Sequence, residues 1–167
     1  RDWSSDVCSS DLATAEKVAE ALGISASDVG VCSTGLIGIR LPLEKLLSGI
    51  PTTVAELASS GLSDAAAAIM TTDSKPKISV TQRDGVTTTG IAKGAGMLAP
   101  SLATMLSVVM TDAQVDPHLA AEVFTEVCER TFNRIDSDGC TSTNDTVFLL
   151  ASGASGKKLG REELSAM

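Results

Sequence analysis

The dipeptide Asp84-Gly85 separates Lys77 to Arg83, where apolar Ile78 and Val80 alternate with polar neighbours, from Val86 to Ala92. Alternation of period two puts successive side chains on opposite faces of a strand. Asp-Gly supplies the positive-φ geometry of a two-residue turn, so the centre of the chain is expected to be a β-hairpin. That hairpin ends at Lys93, the first residue of K-G-A-G-M-L-A-P-S-L-A-T-M-L-S-V-V-M-T-D-A, Lys93 to Ala113. Gly94 and Gly96 admit backbone geometries other residues resist, and Pro100 fixes one dihedral and removes a donor. The run M-L-S-V-V-M that follows has β-branched residues at its middle, which favours a buried strand whose first residue would be Thr104.

A glycine-and-proline-constrained path can hold the Ala103-Thr104 peptide under strain, where the Thr104 hydroxyl can attack the carbonyl before it. An N-to-O acyl shift followed by hydrolysis would release a chain beginning at Thr104. Its α-amine, with a pKa of roughly 7.7 to 8.0, would serve as base for the hydroxyl of the same residue. No histidine is then needed, and the only one, His118, stands beside Pro117 at an expected helix start. The plainer reading of an isolated A-T-M is a buried element in which Thr104 merely packs.

The full string from Lys93 to Ala113 resembles the self-processing segment of the ornithine acetyltransferase family, the bifunctional ArgJ or glutamate N-acetyltransferase proteins. The resemblance implies cleavage between Ala103 and Thr104, with Thr104 then carrying an acetyl group. Earlier, C-S-T-G-L-I-G places Thr34, Gly35 and Gly38 after a short expected strand, Val29 to Cys32. Such a turn can aim N–H groups and a hydroxyl at a developing oxyanion, although S-T-G alone is a common turn. The resemblance implies that Thr34 and Gly35 form the oxyanion hole. It also implies that Thr71, the first residue of T-T-D, contacts the acetylated substrate, and that Lys93 binds the substrate carboxylate.

Composition narrows the alternatives. A chain of 167 residues, 43% hydrophobic and 20% charged, can bury a core of ordinary domain size. A formal charge of −8 with no basic stripe argues against binding nucleic acid or an anionic membrane, and three Phe and one Trp make a poor base-stacking platform. Cys8, Cys32, Cys128 and Cys140 are spaced for neither a zinc site nor a redox pair, so they are expected to be reduced thiols of a cytoplasmic protein. The resemblance implies no metal and no tightly held cofactor. Asp136, Asp138 and Gly139 miss the calcium-loop spacing, and the Gly153 to Lys158 region misses the phosphate-loop spacing.

The remaining stretches read as follows. Arg1 to Leu12 has neither helical nor strand period and resembles the translation of a sequencing-library adapter, an expectation that puts the natural N-terminus elsewhere. A helix from Ala13 ends at Gly23. Pro42 to Leu47 starts a short helix, Thr53 to Glu56 has capping-box spacing for another, and Ser63 to Met70 is a third. Asp116-Pro117 opens a helix whose buried face is Leu119, Val123, Phe124, Val127, Cys128 and Phe132. The C-T-S-T-N-D-T-V-F-L-L-A-S-G stretch resembles a loop and central strand of the family, with no catalytic role assigned.

The resemblance implies an α/β fold, a two-sheet sandwich between helix layers (αββα) cut into alpha and beta pieces. Residues 13–103 would belong to the alpha piece and residues 104–167 to the beta piece, after a foreign leader at 1–12. It implies ping-pong acetyl transfer from N-acetylornithine to glutamate, acetyl-coenzyme A as a possible further donor, and assembly of the pieces into a heterotetramer. The rival reading is an N-terminal-nucleophile aminopeptidase or amidohydrolase of the same self-cleaving superfamily, and a third is a structural fragment without activity. This chain alone is expected to be less active than a family member of full length.

Overall fold

A computed structural model describes residues 3–35, 39–99, 102–142 and 144–167. Gly38 and Pro100, both singled out in the sequence, lie outside the described residues. The chain forms two compact units, Arg1–Gly61 and Leu62–Met167.

The first unit is helical. Helix α1 spans Trp3–Leu22, so most of the stretch expected to lack period is helical. Ala15 and Ala19, one turn apart, are buried. The helix ends where expected: Gly23 takes φ +69 and the Ile24 N–H reaches back to the Ala19 carbonyl at 3.1 Å, closing a left-handed C-terminal cap. Val29 to Cys32 is not a strand. Helix α2, Leu43–Ala55, replaces the two short helices expected between Pro42 and Glu56. Pro51 lies within it, and the Thr53 hydroxyl donates to the Gly49 carbonyl at 3.1 Å instead of capping a new helix.

The second unit is a mixed α/β structure. Helix α3, Leu62–Ala68, precedes strands β1, Lys77–Arg83, and β2, Val86–Lys93. These form the expected hairpin, with Arg83 opposite Val86 and both turn residues at positive φ, Asp84 +51 and Gly85 +77. Strand β3, Leu98–Ala99, pairs with β4, Leu102–Ala103, in a two-residue antiparallel ladder the sequence did not suggest. Strand β5, Leu106–Thr111, starts two residues beyond Thr104 and pairs antiparallel with β2.

Helix α4, Pro117–Arg130, is capped by Asp116, whose carboxylate accepts the His118 and Leu119 N–H groups. It is the crossover to β6, Thr146–Ala151, which pairs parallel with β5. The sheet order is β1-β2-β5-β6, which makes β6 an edge among the described strands instead of the central strand expected. From the expected apolar stripe of α4, Val123 is 1% exposed and Phe124, Val127 and Cys128 are half-buried. Val123, Phe124 and Val127 face Val109, Thr111 and Leu149 of the sheet across a cavity of about 160 Å³. Helix α5, Arg161–Ala166, is tied to α4 by Arg161, which bridges Glu122 and Glu126.

Candidate active site around Thr104

Thr104 lies in the bend between β4 and β5, and its placement follows from three backbone contacts. The Thr104 N–H donates to the Met97 carbonyl at 2.7 Å, closing the β3-β4 hairpin against the preceding loop. On the following residue, the Met105 N–H reaches Asp145 Oδ1 at 3.3 Å, and the Met105 carbonyl accepts the Thr146 N–H at 3.0 Å. Between these fixed points the Thr104 Oγ1 is buried and has no hydrogen-bond partner among the described residues. A buried hydroxyl without a partner forfeits about 1 to 3 kcal/mol, and such an atom is poised to engage whatever polar group enters the site.

Lys93 closes strand β2 opposite Leu106 and is 1% exposed, the largest of the fully buried side chains described. Gly94 makes this approach possible. It has φ +142, and a Cβ placed there would lie 3.1 Å from the Thr104 carbonyl oxygen and 3.2 Å from Leu98 Cδ2. Asp145 is half-buried on the other side of Met105. Burial pushes its carboxyl up, while the Met105 N–H, the Ser142 hydroxyl and the charge of Lys93 pull it down, and burial prevails.

Thr71 is exposed at the surface of the same unit, and its N–H donates to Asp73 Oδ2 at 3.3 Å. Asp73 Oδ1 accepts the Gly94 N–H at 2.8 Å and the ammonium of Lys77, which also donates to the Gly94 carbonyl at 3.0 Å. Burial raises the Asp73 carboxyl, but these donors and the Lys77 charge outweigh it and hold the group down at about 2. One carboxylate therefore joins Thr71 to the backbone beside Lys93, and Gly94 in turn abuts Thr104. Thr34, half-buried, and Gly35, exposed, belong to the first unit, where a Cβ on Gly35 would meet Leu41 Cδ2 at 3.2 Å.

Three carboxylates at this site escaped the sequence reading. Asp73 was visible only as the third letter of T-T-D, and Asp145 lay in a loop given no role. Asp138 was set aside with the failed calcium spacing, yet its Oδ2 accepts the Met97 N–H at 2.8 Å and its Oδ1 accepts those of Leu98 at 3.2 Å and Cys140 at 3.1 Å. Among the described residues no three His, Cys, Asp or Glu side chains converge as a metal site would require. No described helix is long and apolar enough to cross a membrane.

The model of the ArgJ family matches residues 7–167. Curated relatives called arginine biosynthesis bifunctional protein ArgJ are similar over most of the chain. That of Thermobifida fusca is 55% identical over 154 residues, covering 92% of this chain and 40% of the relative. Those of Bifidobacterium longum and Geobacter sulfurreducens are 49% and 50% identical, over 93% and 86% of this chain and 41% and 37% of theirs. The chain thus spans about two-fifths of the length of the curated relatives it matches.

Proposed function

Since this chain belongs to the ArgJ family, we propose that it carries the nucleophilic centre of a glutamate N-acetyltransferase of arginine biosynthesis, with Thr104 as the acyl carrier. The observation that carries this reading is the buried Thr104 Oγ1, without a hydrogen-bond partner among the described residues, in a bend whose backbone lies against Gly94, the residue after buried Lys93. In the first stage Oγ1 bonds to the Ala103 carbonyl carbon, the C–N bond breaks and the hydroxyl proton ends on the Thr104 nitrogen. Water then cleaves the ester, leaving an Ala103 carboxylate and a Thr104 that bears both hydroxyl and α-amine. In the second stage the amine takes the hydroxyl proton as Oγ1 attacks the acetyl group of N-acetylornithine, ornithine leaves, and the amino group of glutamate receives the acetyl group.

In this scheme Thr34 and Gly35 stabilise the tetrahedral oxyanion, and Lys93 with Thr71 holds the amino-acid portion of the substrate. Lys93 suits a carboxylate because an ammonium makes its strongest hydrogen bonds to an anionic acceptor. Acetyl-coenzyme A is a further donor, no metal or bound cofactor takes part, and the protein works in the cytoplasm. The complete fold is the two-sheet αββα sandwich, with alpha and beta pieces assembled as a heterotetramer. The test is incubation with N-acetylornithine and labelled glutamate, using this chain and one extended to the relatives' length. Labelled N-acetylglutamate supports transfer, whereas acetate and ornithine alone would assign the centre to a hydrolase.

A further inference from the structure

We propose that Asp138 is a positioning residue for self-cleavage, holding the Met97 carbonyl against the Thr104 N–H so that the peptide to be cut is presented in one fixed orientation. This rests on the reading of Thr104 as a self-cleaving nucleophile. Asp138 follows the cut in sequence, and it grips residues that precede the cut.

The geometry is a short relay. Asp138 takes the successive N–H groups of Met97 and Leu98 on its two oxygens, at 2.8 and 3.2 Å. The neighbouring Ser137 N–H donates to the Leu98 carbonyl at 2.7 Å, so the loop meets β3 from both sides of the Leu98 peptide. Met97 has φ +54, a left-handed conformation that residues with a Cβ adopt uncommonly. That conformation aims its carbonyl at the Thr104 N–H, 2.7 Å away. The backbone donors of Met97, Cys140 and Leu98 hold the Asp138 carboxyl below its ordinary range, so it is ionised at neutral pH. Both oxygens thus accept N–H groups of the protein backbone.

The held N–H belongs to the nitrogen that leaves during the acyl shift. Before the shift Met97 O accepts its single proton and fixes its direction. Once the Ala103 C–N bond has broken and the hydroxyl proton has moved to nitrogen, the same carbonyl accepts from the new α-amine. The amine that serves as base is then retained beside its own hydroxyl.

Two measurements test this separately from the acetyl-transfer reading. In the uncut Thr104→Ala chain, amide exchange at residue 104 is followed by NMR with and without Asp138→Ala. The expected result is exchange at least tenfold faster, with Val108 and Val109 of β5 unchanged, and an intermediate effect for Asp138→Asn, which keeps one acceptor oxygen. Unchanged protection at residue 104 overturns the clamp. In a chain of the relatives' length with Thr104 intact, appearance of two pieces by intact mass should slow at least tenfold in Asp138→Ala and less in Asp138→Asn. Wild-type cleavage rates in both variants overturn the positioning role, whereas a parent chain that stays whole overturns the self-cleavage reading itself.

Discussion

Replacing Asp73 with Asn should loosen the link between Thr71 and the Lys93-Gly94 corner, and the size of the effect follows from its ionisation. The carboxyl is held at about 2 against an ordinary 3.8. Each pKa unit is worth about 1.4 kcal/mol, so the shift corresponds to roughly 2.4 kcal/mol at neutral pH. Lys77 is 45% exposed, however, while the Asp73 side chain is fully buried, and solvent screening at the lysine reduces the expectation to about 1 to 2 kcal/mol. The folded value lies below the unfolded one. The contribution is therefore fully present above about pH 5 and is lost as pH falls from 3.8 through 2. An Asn amide can serve one backbone N–H through its oxygen but turns donors toward the other. Urea unfolding of the second unit, read from NMR peak intensities of β2 and β5 amides at pH 7, 4 and 2.5, measures this directly. The gap between the two proteins should be widest at pH 7 and shrink toward pH 2.5. A gap that is absent at pH 7, or that keeps its size at pH 2.5, would refute the assignment of Asp73 as an ionised hub.

Thr104→Ala should leave one uncut chain, and two pieces in its intact-mass spectrum would show that cleavage does not use this hydroxyl. Gly94→Ala places a Cβ at φ +142 only 3.1 Å from the Thr104 carbonyl oxygen, so we expect a stability loss of about 1 to 3 kcal/mol and slowed cleavage. Lys93→Met keeps the buried apolar stem but removes the charge; in the full-length context it should raise the KM for glutamate far more than it lowers kcat, as steady-state kinetics would resolve.

The parts legible in the sequence were those whose determinants are local. The β1-β2 hairpin follows from a period-two pattern joined by a dipeptide that tolerates positive φ at both positions. The start of α4 follows from Asp116 and Pro117, which act within three residues of themselves. Local signals also misled, because Thr53 has the spacing of a cap but spends its hydroxyl on Gly49, and α2 runs on through Pro51. Trp3 to Leu12 was denied a helix for want of an apolar stripe, yet it extends α1. Around Thr104, the residue types of Lys93, Thr71 and Thr104 were recognisable from their motifs. The carboxylates that arrange them were not, since Asp138 acts on Met97 and Asp145 on Met105 from about forty positions along the chain. A short polar string carries no mark of so distant a partner.

The β2-β5 ladder runs from Thr88 opposite Thr111 to Lys93 opposite Leu106, and Thr104 lies between the two strands in sequence. A cut before Thr104 would therefore change the molecularity of unfolding without separating the folded pieces. In the uncut chain the two strands meet by closing a loop, at an effective concentration set by the intervening residues. In the cut protein, unfolding yields two molecules, so the transition temperature should rise with protein concentration and refolding should become second order. Dilution after denaturation would then recover the uncut Thr104→Ala chain far better than the mature one. The ladder would make cleavage a nearly one-way commitment, with the assembled sheet persisting as a product of folding that the separate pieces regain slowly.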